Sequence, residues 1–411
     1  MSATLAGEFD VGHAGGGFAV PLDSGARLSR ALLSYLVVLI AAMSLLPFEF
    51  ELPARIQFSF VFSPLSTIAT CAMFVPYGFL TRRSRMGRIG QHRAAIMLSA
   101  CTLALLLETA QLFEPACDAS PWHVLASVAG AAIGAWLCER AHDDAHGTAN
   151  ALHALLLQLP LMGLAYLLLP LLWASSAAAQ DDPSRLGLTL SIGLLGASLL
   201  GSIARAIRGF TPDRVWWLVP VVSATWITVG VLPSVLVDWR ITIACIVIVT
   251  AFASWRGRWS APMFVERRYE VPALFAASPF LAIYFIGAGV WPGHSFRTIP
   301  LLHLGMPTSD AGLALALPLL EAGIAATVLG YVVAEFHGRS EASLREVGSR
   351  VMFWVCLALI TSEGSRSYFG YEGASLLRAV LSLGAAAYGA GLYHLQRAHV
   401  KVVARRLHRA S

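Results

Sequence analysis

The sequence predicts an all-α fold, a polytopic transmembrane bundle of about twelve spans with both termini in the cytoplasm. Three observations carry that expectation. The 411 residues are 57% hydrophobic and only 13% charged, and the mean hydropathy of +0.67 lies far above the range of soluble domains. Apolar stretches of about 20 residues, the length that crosses a bilayer as a helix, recur along the whole chain. Most of the basic residues then fall on alternate connections, as they do on the cytoplasmic side of membrane proteins. This composition excludes a cytoplasmic enzyme, a secreted disulfide scaffold and a nucleic-acid-binding module. The bilayer is the first partner, and the net charge of +5 is explained by orientation rather than by nucleic acid.

In chain order, residues 1–29 are Gly-rich and lack a basic region followed by an apolar core. They are expected to form a disordered cytoplasmic tail rather than a cleaved signal. The first span, near 31–47, follows Arg27 and Arg30. Others are expected near 63–80, 94–113, 121–138, 151–173 and 187–207, then 215–237, 241–255, 271–292, 312–335, 351–365 and 375–395. Between the first two, FEFELPARIQFSFVF alternates apolar and polar residues, which fits an interfacial or re-entrant segment and equally a loop with aromatic anchors. The longest outer connection, Gly293 to Asp310, contains PLLHLGMP and is too apolar to be freely solvated. Small residues in GAAIG (Gly130 to Gly134) and GLLGASLLG (Gly193 to Gly201) mark faces where backbones approach closely. A basic cytoplasmic tail, 400–411, ends the chain.

Five cysteines, Cys71, Cys101, Cys138, Cys245 and Cys356, lie in apolar spans and only Cys117 in an outer loop. No disulfide and no metal site are expected from this spacing. The loop ERAHDDAH (Glu139 to His146) carries metal-capable side chains, but in a short solvated loop. No GxxxxGK[ST], HExxH, GxSxG or serine/histidine arrangement stands out, so ATP hydrolysis, zinc proteolysis and serine hydrolysis have no support at this level, and no cofactor is expected.

Ionisable residues inside spans are costly unless they face protein, a partner or water, which makes them functional candidates. Glu108 lies about 8 Å, at 1.5 Å per residue, from the outer end of its helix, with Gln111 on the same face. Glu321 sits nearer the bilayer centre. Glu363 is followed by Arg366 at i+3, close enough to pair, and Arg378 opens the last span, where snorkelling explains it. All favour the outer half, and together they predict a polar cleft on that side, capped by the loop with His294, His303 and Asp310.

The first four spans resemble the VanZ-like family. The residues that carry the resemblance are LLPFEF (Leu45 to Phe50), FVPYGF (Phe74 to Phe79), ETAQLFEP (Glu108 to Pro115) and AGAAIGA (Ala129 to Ala135), in that order. The resemblance covers about residues 30–142. It departs from the family where Arg, Asp and Asn usually follow the Glu/Gln motif: Cys117, Trp122 and Ala126 stand at the matching positions. A degenerate second unit is expected over 271–399, with Glu363 aligned on Glu108, Arg366 on Gln111 and Gly384 on Gly130. A middle four-span block, 143–270, separates the two.

The resemblance implies a bacterial inner-membrane protein of cell-envelope metabolism or glycopeptide resistance. Such a protein is expected to bind a glycolipid, a lipid-linked glycan or a glycopeptide at the outer leaflet, with Glu108, Gln111 and Glu321 accepting hydrogen bonds and Arg366 pairing an anionic head group. Two alternatives remain open at this point, a secondary transporter that uses its intramembrane carboxylates and an enzyme acting on a lipid carrier.

Overall fold

In the computed structural model the described residues are 24–46, 48, 50, 59–85, 93–114, 119–145, 149–179, 183–208, 217–233, 238–259, 270–290, 312–337, 344–369 and 375–410. They form α1 (Ser24–Ser44), α2 (Pro64–Arg85), α3 (Arg93–Gln111), α4 (Pro121–Ala145), α5 (Ala149–Ala178), α6 (Leu186–Arg208), α7 (Leu218–Gly230), α8 (Trp239–Trp259), α9 (Glu270–Val290), α10 (Gly312–His337), α11 (Leu344–Phe369) and α12 (Leu376–Ala410). The protein is therefore an all-α polytopic bundle. Of these helices, 11 are long and apolar enough to cross a membrane. Helix α1 begins earlier than expected, inside the stretch assigned to the N-terminal tail, and α12 runs through the basic stretch at the other end.

Helix α7 has only 13 residues, about 20 Å at 1.5 Å per residue, against a hydrocarbon core of about 30 Å. The chain nevertheless crosses there. Gly193 of α6 faces Val249 of α8, and Gly201 faces Ala253 and Arg256 further along both helices, so α6 and α8 run in the same direction. The segment between them must return to the opposite end. Val219, at the start of α7, sits beside Gly257, and Gly230, at its end, packs on Leu172 of α5. The hydroxyl of Ser176 donates to the Gly230 carbonyl at 3.2 Å. This short helix thus spans the bundle where α5, α6 and α8 cover it.

The start of α1 and the end of α12 lie at one end of the bundle. Gly25 of α1 packs on the His399 ring of α12, and an Arg83 amine lies 3.5 Å from His399 Nε2. At the same end Glu139 accepts from Arg93 and pairs with Arg82 at 3.1 Å. The opposite, far end holds the C-termini of α1 and α3 and the N-termini of α2 and α4.

The core is built from aliphatic side chains of α5 and α6, wrapped by α8 to α12, with a smaller cluster inside α1 to α4. Leu32 and Tyr166 pack against both. In two helix pairs glycines meet the partner's backbone most closely. Gly78 of α2 lies on the Ala131 carbonyl of α4, and Gly134 lies on the Val75 carbonyl and Phe79 amide. In α10 and α12, Gly330 lies on the Ala386 carbonyl, and Gly389 on the Thr327 carbonyl and Tyr331 amide. The same three-atom pattern occurs twice. Its register pairs Gly134 with Gly389, whereas the expected alignment paired Gly130 with Gly384, and Gly384 has open space beside it.

A Cβ at Gly78 or Gly330 would overlap backbone, which cannot yield as a side-chain tip can. Gly78→Val and Gly330→Val are expected to abolish the monodisperse peak in fluorescence-detected size-exclusion chromatography. Gly348 has nothing within 4 Å and lies inside a helix, where Ala is favoured over Gly by about 1 kcal/mol. Gly348→Ala is therefore expected to keep or raise the melting temperature measured by the same assay.

Candidate functional site

Glu108 is held near the C-terminus of α3, and its two oxygens are both engaged by the start of α4. Oε2 accepts the Ser120 backbone N–H at 2.6 Å, and Oε1 lies 3.1 Å from Nδ1 of His123. On the other side of the ring, Nε2 of His123 is 2.7 Å from the Ser66 hydroxyl. Ser66 stands in the first turn of α2, after Ser63, whose carbonyl accepts the Thr67 hydroxyl at 2.7 Å. An ionised carboxylate only accepts hydrogen bonds, so a neutral His123 that donates Nδ1–H to Glu108 has its Nε2 left to accept from Ser66. A serine, a histidine and a glutamate from three helices form one connected chain.

This chain sits at the far end beside an apolar strip. The Ser59 N–H donates to the Ala119 carbonyl at 2.9 Å, and the indole N–H of Trp122 donates to the Phe60 carbonyl at 3.2 Å. These bonds dock residues 59–62 on the start of α4. Phe62 packs edge-on against Trp122 with ring centres 5.5 Å apart. Phe60 and Val61 remain 75% and 78% exposed. The His123 side chain is 20% exposed and that of Glu108 12%, so the relay reaches the surface while its carboxylate is largely covered.

Gln111 is brought next to Glu108 by the helical spacing, yet it serves another contact: its amide donates to the Ser44 carbonyl at 2.8 Å, tying α3 to the end of α1. The other candidates gather elsewhere. Glu321 accepts from Arg185 at 2.6 Å and from the Tyr284 hydroxyl at 2.9 Å. Glu321, Glu363 and Arg366 line one cavity of about 30 Å³, room for about two water molecules. The single polar cleft expected for all five residues is therefore two separate clusters, because α3 and α11 belong to different helix groups. His294, His303 and Asp310 lie outside the described residues.

Glu363 repeats the geometry of Glu108 with a different partner. Its Oε2 accepts the Ser375 N–H, 12 residues on, at 3.0 Å, as Oε2 of Glu108 accepts Ser120, 12 residues on. At 15 residues on, where His123 meets Glu108, Arg378 donates Nε to Oε1 at 2.6 Å and a terminal amine to Oε2 at 2.9 Å. Two expectations are corrected here. Glu363 is clamped by Arg378 rather than by Arg366 alone, and Arg378 does not snorkel, being 1% exposed. A carboxylate that close is a stronger partner than distant head-group water.

Sequence reasoning passed over Ser66 and His123, which are separated by 57 residues and match no local motif. It also passed over Glu335 of α10, which is 0% exposed and whose two oxygens have no hydrogen-bond partner among the described residues. Its position near a helix end reads as ordinary snorkelling. Among the described residues no three of His, Cys, Asp and Glu gather as a metal ion would require. Comparisons of the chain with protein-family models, with curated proteins and with solved structures find no match.

Removing one member of a buried ion pair strands the other, at a typical loss of about 3–5 kcal/mol, while replacing both by apolar groups is far milder. Arg378→Met is expected to lower the melting temperature sharply in detergent, and Glu363→Leu with Arg378→Met to recover most of it. A double variant as unstable as the single one would show that Arg378 supports the fold through other contacts.

Proposed function

We propose that the chain is a VanZ-like protein of the bacterial inner membrane, serving cell-envelope metabolism or resistance. It binds an amphiphile, a glycolipid, lipid-linked glycan or glycopeptide, at the outer leaflet. Residues 271–399 are a second, degenerate unit of the same kind, a reading supported by the repeated Glu–Ser–(His/Arg) clamp and the repeated glycine contacts. Basic residues cluster with the termini, which supports a cytoplasmic terminal end and an outer far end.

One observation carries the binding site: the partly exposed Ser66–His123 pair lies at the helix starts on which the segment with the exposed Phe60 and Val61 is docked through Trp122. That is the arrangement an amphiphile needs, polar atoms for its head group and an apolar strip at the depth of its first methylenes. Glu108 acts through His123 rather than as a direct ligand, since both its oxygens are already bonded. The cavity at Glu321 has room for about two water molecules.

The test is mass spectrometry of lipids and glycans that copurify in native nanodiscs with wild-type protein and with His123→Ala plus Phe60→Asp. The proposal expects a distinct amphiphile that is depleted in the double variant by at least about tenfold, the loss of roughly 1.4 kcal/mol of binding. Bulk phospholipid alone in both samples would overturn it.

The carrier reading is favoured by a different observation, the water-sized cavity lined by Glu321, Glu363 and Arg366. It expects pH-gradient-driven uptake in vesicles that Glu321→Gln abolishes; uptake unaffected by that change would remove it.

A further inference from the structure

We propose that Ser66 is a nucleophile activated by His123, and that this end of the bundle catalyses acyl transfer from an ester-linked lipid. The inference rests on the reading of the same place as an amphiphile-binding site, and it adds a covalent step.

The geometry is that of a nucleophile, a base and an orienting carboxylate. Ser66 Oγ to His123 Nε2 is 2.7 Å, and His123 Nδ1 to Glu108 Oε1 is 3.1 Å, both within reach of proton transfer and orientation. Glu108 is itself fixed by the Ser120 N–H, so the ring is held in the tautomer whose free lone pair faces the serine. That arrangement goes beyond what stabilising a helix start requires. The second unit shows the difference: the same carboxylate, with the same backbone donor, is satisfied there by Arg378, a residue that cannot accept a proton. Superposing the glycine contacts of α10 on those of α2, Gly330 on Gly78, puts Pro318 where α2 has Ser66. One clamp holds helices; the other ends in a hydroxyl at the surface.

The step balances without any outside oxidant or metal. Ser66 Oγ attacks the ester carbonyl carbon while its proton passes to His123 Nε2. The developing oxyanion is placed at the first turn of α2, where Pro64 has no N–H and that of Thr67 bonds the Ser63 carbonyl, which leaves the backbone N–H groups of Leu65 and Ser66 as donors, with the helix dipole favouring negative charge. As the tetrahedral intermediate collapses, the carbon–oxygen bond to the lipid alcohol breaks and that alcohol leaves with the proton from His123. The acyl group is now an ester of Ser66. An acceptor hydroxyl, from water or a sugar, gives its proton to His123 and attacks the acyl carbon; the bond to Ser66 Oγ then breaks and His123 returns that proton to Oγ, restoring the serine. The exposed Phe60 and Val61 place the fatty chain, and Trp122 backs the segment that carries them.

The experiment treats the purified full-length protein in nanodiscs with two fluorophosphonates, a small one and one with a long alkyl chain, and maps adducts by peptide mass spectrometry. A phosphonyl adduct on Ser66 is expected, absent in Ser66→Ala and slowed at least about a hundredfold in His123→Ala, the range of a lost general base. Glu108 is a positioning residue: Glu108→Gln should slow labelling while the size-exclusion profile stays that of the wild type, and Glu108→Asp should restore part of the rate. Faster labelling by the long-chain probe supports catalysis and the amphiphile reading together. Equal labelling by both probes keeps the nucleophile and sinks the lipid as its substrate. No adduct on Ser66 with either probe in monodisperse wild-type protein, or an undiminished rate in His123→Ala, overturns the proposal.

Discussion

Inside a bilayer there is no water to satisfy a polar group, so a carboxylate carried into the bundle is costly unless a neighbouring helix answers it with a donor, as happens at Glu108 and Glu363. The far ends of two helix pairs are organised by that requirement. Glu108 ends α3 and draws down the start of α4 through the Ser120 N–H and His123. Glu363 ends α11 and draws down the start of α12 through the Ser375 N–H and Arg378. Each clamp closes a helical hairpin, and glycine contacts then lock the second helix of the hairpin against a third, α4 on α2 and α12 on α10. The clamp and the glycines are separate devices, one electrostatic at the end and one steric in the middle.

What distinguishes the two hairpins is the residue at the second clamp position. Arg378 makes a bidentate pair, a fixed charge on a fixed charge, and is buried at 1% exposure. His123 spends one nitrogen on the carboxylate and has another to offer, and α2 supplies Ser66 to meet it. A histidine in a clamp is a weaker structural choice than an arginine at this depth, because it offers the carboxylate one donor rather than a fork. The stability forgone there is the kind of local exception found where function is installed.

Much of the fold was legible because helix length and hydrophobicity are dictated by the solvent. The expected spans match the observed helices in order and nearly in place, including the one near 215–237, where the described α-helix α7 has 13 residues. The close-packing glycines were readable in GAAIG. The pairing of the two sets of glycine contacts was not, since low-complexity segments align equally well one residue apart and only the backbone under Gly389 tells them apart. Glu108, Glu363 and Glu321 stood out as charges in apolar runs, but their partners did not: Arg185 meets Glu321 across 136 residues. Ser66 and His123 were invisible for another reason. A serine and a histidine at helix starts are common near membrane interfaces, and only the three-helix packing makes them a pair.

The central claim is that Glu108 orients His123 toward Ser66 in the folded bundle within lipid. Nitrogen-15 solid-state NMR of histidine-labelled protein in bilayers, with His123 assigned by its loss in His123→Gln, reads the protonation of each ring nitrogen directly. The account predicts a ring protonated at Nδ1, with an unprotonated, hydrogen-bond-accepting Nε2 that loses that bond in Ser66→Ala. A ring protonated at Nε2 alone, or an Nε2 signal indifferent to Ser66→Ala, would contradict it.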